Sequence, residues 1–318
     1  MVKKMLFNNI IGHLDIREKL IRSIENGSFP HASLIVGEDG IGKSKIAREI
    51  AINILGKNEF KDYVDIEEYK ISENKKSFSV DQVRSIIEEV NKKPYESDKK
   101  VIIIHDSDKM TAQAQNALLK TIEEPPKGVF LILLCGKKEN ILDTINSRCQ
   151  SYKLARVSDD DIKEILLRDN LNISSEYIEG AKVFSGGIPG RAEDFINNSL
   201  YRDIRENTLK ILIESNENDL TGFLKHKDFL VKNKDLWQEV LTSILSYARD
   251  IIIYKEVGKD SLIMNVDKVN LIKQLAETFS YRKLNNIIDI VNGTKNNFKS
   301  NVNAASAYHI MLVKIQEV

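Results

Sequence analysis

The sequence predicts an α/β domain built on a parallel sheet, followed by an all-helical C-terminal region. In the first half of the 318-residue chain, short β-branched and apolar runs alternate with segments of helical periodicity. This alternation is typical of a parallel sheet covered by helices on both faces. Residues 37–44 match the phosphate-loop motif G-x-x-x-x-G-K-[ST] between a strand and a helix. From about residue 205 onward, nearly every segment is compatible with a helix.

Five short apolar or β-branched runs are predicted to form the strands. They are Leu34–Val36, Tyr63–Ile66, Val101–Ile104, Val129–Cys135 and Ser151–Leu154. Helices are predicted between them, the first from Lys43 to Leu55. Ser79 and Gln82 have the spacing of a capping box at the start of a second helix. Thr111 can cap a third, which Pro125-Pro126 ends because proline lacks the N–H that a helix needs.

After Leu154 the strand signals fade and helical patterns dominate. Residues 159–168 have helical periodicity, and a glycine-rich turn at 185–190 precedes another helix. Short linkers are predicted near 155–160 and 200–205. One apolar stripe has the spacing of a buried helix face and is interpreted as core packing. It consists of Trp237, Leu241, Ile244 and Leu245.

Length and composition narrow the class of protein. A chain of 318 residues suggests two or three domains. Lys+Arg 47 balances Asp+Glu 47, so DNA contacts should be local or shared with partners. The two cysteines, Cys135 and Cys149, lie in or beside apolar runs, which favours a reducing compartment and predicts no structural zinc. Without a run of about eighteen apolar residues, we expect a soluble, cytoplasmic protein.

The phosphate-loop motif predicts a nucleotide site with a role for each of its main residues. Gly37, Gly40 and Gly42 let the backbone curl so that successive N–H groups point at phosphate oxygens. Lys43 would reach the β- and γ-phosphates, and the hydroxyl of Ser44 would hold Mg²⁺. The expected ligand is therefore ATP or ADP with Mg²⁺.

The strand that should carry the second nucleotide motif departs from the usual pattern. Hydrolysing phosphate-loop enzymes commonly end this strand in Asp-Glu, for Mg²⁺ and for the attacking water. Here Val101–Ile104 is followed by His105 at the metal-side position and Asp106 at the position of the base. A shift of one residue would instead place Asp106 on the metal side and Ser107 at the base. Both alignments lack Asp-Glu, so we predict nucleotide binding without efficient hydrolysis. A surface role for His105 stays open.

Two further motifs resemble one protein family closely. Residues 116–126 read N-A-L-L-K-T-I-E-E-P-P, and residues 147–149 read S-R-C. This pair is similar to the clamp-loader group of AAA+ proteins, and within it to the delta-prime type of the bacterial DNA polymerase III clamp loader. Weaker matches extend over essentially the whole chain. They include Ile11-Gly12-His13, Pro30-His31-Ala32, residues 79–84 and residues 187–192.

The resemblance implies a division of the chain into three domains. It implies an AAA+ nucleotide-binding module, a small helical lid and a helical collar through which subunits assemble. These would occupy residues 1–157, 158–203 and 204–318.

The resemblance also implies roles that spacing alone does not give. Ile11, His31 and the lid residue Arg191 would belong to the nucleotide site. Arg148 of the S-R-C motif would act in trans, as an arginine finger on the ATP of a neighbouring subunit. A guanidinium suits this role because it is planar, always charged and able to bind phosphate through two donors.

Several departures from the gamma/tau motor subunits favour a stationary member of the ring. The four-cysteine zinc module of those subunits is missing from the sequence, and His105-Asp106 replaces Asp-Glu. Cys135 or Gly136 stands at the sensor position after the fourth strand. Gly190 stands where the gamma-type sensor arginine is expected, with Arg191 one residue later.

The expected partners are gamma/tau motor subunits and a delta opener subunit. The sliding clamp and primer–template DNA would be contacted through the complex, and no membrane partner is expected. Three alternatives stay open: an ATP-hydrolysing gamma/tau-like motor, a phosphate-loop small-molecule kinase, and an AAA+ loader of another process.

Overall fold

Two compact units make up the chain in the computed structural model. The structure describes residues 7, 9–72, 75–169, 173–217, 219–300 and 302–318. One unit comprises Met1–Ile165 with Ile188–Gly190, and the other comprises Leu166–Gly187 with Arg191–Val318. The first is an α/β unit around one sheet and the second is helical, so the predicted fold class is confirmed.

The first unit is built on a five-stranded sheet in which every pair of neighbours is parallel. Its strands are β1 Ala32–Val36, β2 Ile66–Tyr69, β3 Lys100–Ile104, β4 Val129–Cys135 and β5 Gln150–Lys153. In space they follow the order β2-β3-β4-β1-β5. All residues of β1 and β3 are buried, which explains why the central strands are continuous apolar runs in the sequence.

Helices of the first unit cover both faces of the sheet. They are α1 Leu14–Glu25, α2 Lys43–Ile54, α3 Val80–Val90, α4 Ala112–Glu123 and the short α5 Asp143–Asn146, followed by α6 Asp159–Asp169. Successive residues of β1 point to opposite faces. Leu34 packs in one apolar cluster with residues of α3 and α4, whereas Ile35 packs in another with residues of α1 and α2.

The predicted helix caps are observed, with one difference. The hydroxyl of Ser79 accepts a hydrogen bond from the backbone N–H of Gln82, and that of Thr111 accepts one from Ala114. The side chain of Gln82 does not complete the capping box. It donates instead to the carbonyl oxygen of Lys70, which fastens α3 to the chain that follows β2.

The second unit is helical, and from residue 199 onward its helices share one apolar core. Its helices are α7 Ser175–Ser185, α8 Pro189–Asn197 (whose first two residues belong to the first unit), α9 Ser199–Glu214, α10 Leu220–Phe223, α11 His226–Lys232, α12 Trp237–Val257, α13 Val269–Thr278, α14 Tyr281–Lys299 and α15 Ala304–Glu317. Leu241 and Ile244 are buried in the core, and Trp237 and Leu245 pack against it. The predicted apolar stripe is therefore core packing. The linker predicted at 200–205 is wrong, because these residues lie inside α9.

In the described part of the chain, no helix is long and apolar enough to span a membrane.

A buried lysine of the sheet forms an ion pair with α3. Lys100 is fully buried at the start of β3. Its ammonium group lies 2.6 Å from Glu89 Oε1 and 2.7 Å from Glu67 Oε1. The hydrogen bond from Lys100, helped by one from Lys92, lowers the pKa of Glu89 to about 2. Because this pKa lies below the ordinary value of 4.5, the ionised carboxylate stabilises the fold at neutral pH. That contribution is lost as the pH falls through about 2.

Substitution of Glu89 should reveal this pH dependence. We expect Glu89→Gln to lower the free energy of unfolding at pH 7 by about 2 kcal/mol, because the buried Lys100 loses a charged partner. The difference from the wild type should shrink as the pH is lowered from about 4.5 towards 2. Urea unfolding at a series of pH values measures it. Glu88→Gln, at an exposed neighbouring position, is the control. If the loss of unfolding free energy in Glu89→Gln does not change with pH, the role assigned to the ionised Glu89 is wrong.

Candidate nucleotide site

The phosphate-loop motif lies between β1 and α2, as predicted. Gly40 and Gly42 have φ angles of 83° and 106°, which L side chains rarely adopt, so glycine is required at both positions. Gly42 directly precedes the first residue of α2, and its carbonyl oxygen accepts from the N–H of Ile46. The loop therefore leads into a helix N-terminus, the arrangement in which backbone N–H groups bind phosphate.

Lys43 is held by its own loop. Its ammonium group donates to the carbonyl oxygen of Gly37 at 2.7 Å, to that of Glu38 at 3.1 Å and to Asp39 Oδ1 at 3.0 Å. An ammonium group has three N–H donors, so these contacts use all of them. A phosphate that binds Lys43 must replace at least one of these acceptors. Asp39 is the acceptor that Lys43 can release most readily. Its carboxylate is exposed, so its release leaves no buried polar group without a partner.

Ser44 and His105 meet at the carboxyl ends of β1 and β3. The hydroxyl of Ser44 lies 3.4 Å from His105 Nδ1, and His105 Nε2 lies 2.9 Å from Glu68 Oε2. Glu68 also accepts from Arg48 at 3.3 Å. The hydrogen bond from His105 lowers the pKa of Glu68 against the opposing effect of burial. His105 is buried, so its interpretation as a surface residue is wrong.

The carboxylates that follow β3 are engaged elsewhere. Asp106 has a left-handed backbone, with φ of 46°, and its Oδ1 lies 3.2 Å from Lys109 Nζ. Asp108 accepts hydrogen bonds from the backbone N–H groups of Gly136 and Lys137, each at 3.0 Å. The second motif is therefore present at the predicted place, but its acidic side chains bind neighbouring residues. None of the described carboxylates accepts a hydrogen bond from Ser44.

The predicted sensor position offers no polar side chain. Cys135 is buried at the end of β4, and burial raises the pKa of its thiol to about 12. Gly136, the next residue, contributes only backbone. Across the described residues, no group of three or more His, Cys, Asp and Glu side chains is arranged to hold a metal ion.

The segment around Ile11 lies against the phosphate loop. The ring nitrogen Nε2 of His13 is 3.2 Å from the carbonyl oxygen of Ile41, which is inside the loop. Gly12 has a φ of 76°, and a Cβ there would lie 2.7 Å from Val157. His13, two residues after Ile11, thus contacts the phosphate loop.

His31 and Arg191 have other surroundings. His31 precedes β1, whereas the loop follows it, and five strand residues separate the two ends by about 16 Å. The ring of His31 stacks on Phe130, with centroids 5.3 Å apart. The structure therefore places His31 at the end of β1 away from the phosphate loop. Arg191 belongs to the second unit, where it lines a small cavity with Glu239 and Ser243.

Gly190 makes a close backbone contact that the sequence analysis missed. Its N–H donates to the carbonyl oxygen of Gly40 at 2.9 Å. A Cβ at Gly190 would lie only 2.8 Å from the Cα of Gly40. The glycine-rich turn at 185–190 was a signal that a backbone comes close here, but it did not identify the partner.

Arg148 is fixed at the surface by the neighbouring motif. Its Nε donates to the carboxylate of Glu123, at the end of α4. Its Nη1 donates to the carbonyl oxygen of Thr144 at 3.1 Å and to the hydroxyl of Ser147 at 3.3 Å. Its side chain is 41% exposed, and none of the described residues contacts Nη2 through a hydrogen bond. The two motifs that carry the resemblance are thus joined physically by the Arg148–Glu123 pair.

Comparisons with known proteins agree with these motifs. Residues 12–158 match the family model described as DNA polymerase III, delta subunit, and residues 201–314 match that of its C-terminal domain. The chain belongs to the DNA polymerase III clamp-loader family. Its first unit is the α/β unit described above, and its C-terminal region is all α-helical.

Individual relatives cover nearly the whole chain. DNA polymerase III subunit delta' of Bacillus subtilis is 24% identical over 95% of this chain and 95% of its own length. Subunit gamma of Buchnera aphidicola subsp. Schizaphis graminum is 26% identical over 96% of this chain and 86% of its own. A gamma-subunit-related protein of Thermotoga maritima, solved by crystallography, has a TM-score of 0.52 at 17% identity, with 94% of this chain and 98% of that chain covered. This last likeness concerns the fold.

The Gly190 contact can be tested by adding one methyl group. We expect Gly190→Ala to destabilise the loop by about 1–3 kcal/mol, because the new Cβ must displace the backbone of Gly40. Nucleotide binding should weaken with it. Isothermal titration calorimetry with ADP and thermal unfolding measure the two effects.

The control is Gly293→Ala, inside α14, where an added Cβ meets nothing within 4 Å. It should be neutral or slightly stabilising, because alanine favours a helix more than glycine does. Unchanged ADP affinity and stability in Gly190→Ala would contradict the role of this contact.

Proposed function

We propose that this chain is the stationary, delta-prime-type subunit of a clamp loader that acts in the cytoplasm. It binds ATP or ADP at residues 37–44, turns nucleotide over very slowly, and supplies Arg148 to the active site of a neighbouring motor subunit. The observation that carries the proposal is the Ser44–His105 contact, where a hydrolysing subunit would have a carboxylate pair. Zinc has no part in this function.

The lack of a suitable base supports slow turnover. In the Asp-Glu motif of hydrolysing phosphate-loop enzymes, a carboxylate within hydrogen-bond reach of the attacking position activates the water molecule. Asp106 follows His105, but its carboxylate forms an ion pair with Lys109 and its backbone is left-handed. Asp108 is held by two backbone N–H groups. Positional errors near 1 Å can reduce a rate about 100-fold, so neither group is placed for efficient hydrolysis.

The geometry of Arg148 supports a role in trans. Glu123, Thr144 and Ser147 bind Nε and Nη1, so that the guanidinium is oriented before any partner arrives. The Nη2 edge keeps two N–H donors for an anionic group. An oriented guanidinium binds phosphate with a smaller loss of side-chain entropy than a mobile one.

The remaining parts of the proposal concern assembly. We assign residues 1–157 to the nucleotide-binding module, 158–203 to the lid and 204–318 to the collar that joins gamma/tau motor subunits and a delta opener subunit, with the lid and collar joined through the continuous helix α9. The complex then loads the sliding clamp onto primer–template DNA. Relatives named gamma, and not only those named delta', cover most of the chain, so a gamma/tau-like motor is the second candidate. Turnover by the isolated chain distinguishes the two.

The first test is nucleotide binding and turnover by the isolated chain. We expect measurable binding of ATP or ADP, with turnover far below about 1 s⁻¹, the lower end of typical enzyme rates. Lys43→Ala should weaken binding because it removes a phosphate-side cation, whereas Lys19→Ala on the exposed face of α1 should not. Turnover at or above about 1 s⁻¹ would favour the motor subunit instead.

The second test concerns Arg148 in a reconstituted complex. Arg148→Ala should leave the chain folded and able to bind its own nucleotide, while ATP turnover by the neighbouring motor and clamp loading fall. An arginine finger contributes roughly 10³–10⁵ in rate at one site, and the whole complex should lose less because other motor sites keep their own. Arg148→Lys should fail nearly as badly, because an ammonium lacks the planar fork.

The control for this test is Arg22→Ala. Arg22 is also an exposed arginine paired with a glutamate, on α1, and we expect no loss of turnover. If Arg148→Ala assembles normally and leaves turnover and loading unchanged, Arg148 is a surface residue and the subunit is purely architectural.

A further inference from the structure

The hydroxyl of Ser44 is the place where a phosphate-loop fold implies Mg²⁺. Magnesium prefers six oxygen ligands and is usually held by one or two carboxylates together with phosphates and water. Whether this chain fits the ion therefore depends on what surrounds Ser44. Among the described residues, the hydrogen-bond partner of Ser44 Oγ is His105 Nδ1, a nitrogen.

The contacts of His105 fix what this nitrogen can offer. Nε2 lies 2.9 Å from a carboxylate oxygen of Glu68, so Nε2 carries a proton and donates it. In the neutral ring, Nδ1 then has a lone pair that accepts the O–H of Ser44. In the charged ring, Nδ1 carries a second proton and donates to Ser44. Neither form provides an oxygen ligand or a negative charge, and imidazole suits zinc or copper better than magnesium.

The nearby carboxylates do not make up for this. Glu68 lies between His105 and Arg48, whose guanidinium is 3.3 Å away, so its charge is already balanced. Asp106 is paired with Lys109, and Asp108 accepts two backbone N–H groups. Each of these three acids has a partner that it would have to give up. The residues present therefore do not fit a Mg²⁺ ion beside Ser44.

The groups that can bind phosphate without metal are intact. The loop has left-handed glycines at positions 40 and 42, and Lys43 is present at the start of α2. Lys43 already binds oxygen atoms at three positions, so the loop contains a site for an ammonium surrounded by oxygen acceptors.

We propose that this chain binds the metal-free form of a nucleoside di- or triphosphate, with Lys43 and the backbone N–H groups as its phosphate ligands. Mg²⁺ then adds little to affinity, in contrast to sites where a carboxylate faces the serine. This inference rests on the proposed function, in which residues 37–44 bind nucleotide.

Binding of ADP and of ATP to the full chain, in excess Mg²⁺ and in EDTA, tests the proposal directly. We expect dissociation constants that agree within about threefold between the two conditions. Weakening in EDTA by more than about tenfold would overturn the inference and leave the nucleotide site standing. Failure to bind in either condition would overturn the nucleotide site itself.

A gain-of-function variant sharpens the test. The pair His105→Asp with Glu68→Gln places a carboxylate beside Ser44 and removes the second acid that would repel it. In this double variant, Mg²⁺ should strengthen nucleotide binding by at least about tenfold. His309→Asp, the same residue change at an exposed position on α15, should create no dependence on Mg²⁺. If the double variant folds by circular dichroism and remains indifferent to Mg²⁺, the assignment to His105 is wrong. If it does not fold, the wild-type comparison decides alone.

Discussion

Parallel strands bring their carboxyl ends to one edge of the sheet, and the residues around the phosphate loop meet because of this constraint. The strands β3, β4 and β1 are neighbours in that order, so the ends of β3 and β1 lie on either side of the end of β4. Backbone and side-chain hydrogen bonds join them there. Gly37 donates to the carbonyl oxygen of Cys135, and Asp108 accepts from Gly136. His105 can reach Ser44 only across this joined edge.

Most of the fold was predictable because apolar periodicity reports burial. The strands whose predicted ranges were wrong or displaced are those that are only partly buried. The second strand was predicted at Tyr63–Ile66 and is found at Ile66–Tyr69, at the edge of the sheet. This strand was missed because it contains Glu67 and Glu68, and two adjacent acids do not indicate a strand. They are stable there because Lys100 and His105, both on or after β3, provide their partners. The linker predicted at 200–205 failed for a related reason, because the polar residue Arg205 is buried there and paired with Asp267.

The candidate site was predictable to the extent that it is local in sequence. Eight consecutive residues identified the phosphate loop, and the departure at His105 was visible beside its strand. The partners of His105 were not, because Glu68 lies 37 residues earlier on the misplaced strand. The Arg148–Glu123 pair spans 25 residues and two motifs that sequence analysis treated separately. His31 was assigned by family resemblance alone, and strand direction places it at the wrong end of β1.

The contact between Gly190 and Gly40 limits how this chain can change. The resemblance aligns Gly190 with the sensor arginine of gamma-type subunits. A side chain of any size at this position meets the backbone of Gly40, which cannot rotate away as a flexible side chain would. Restoring the arginine by a single substitution would therefore distort the loop that it is meant to assist. An arginine that functions at position 190 would therefore need a backbone rearrangement as well as the substitution.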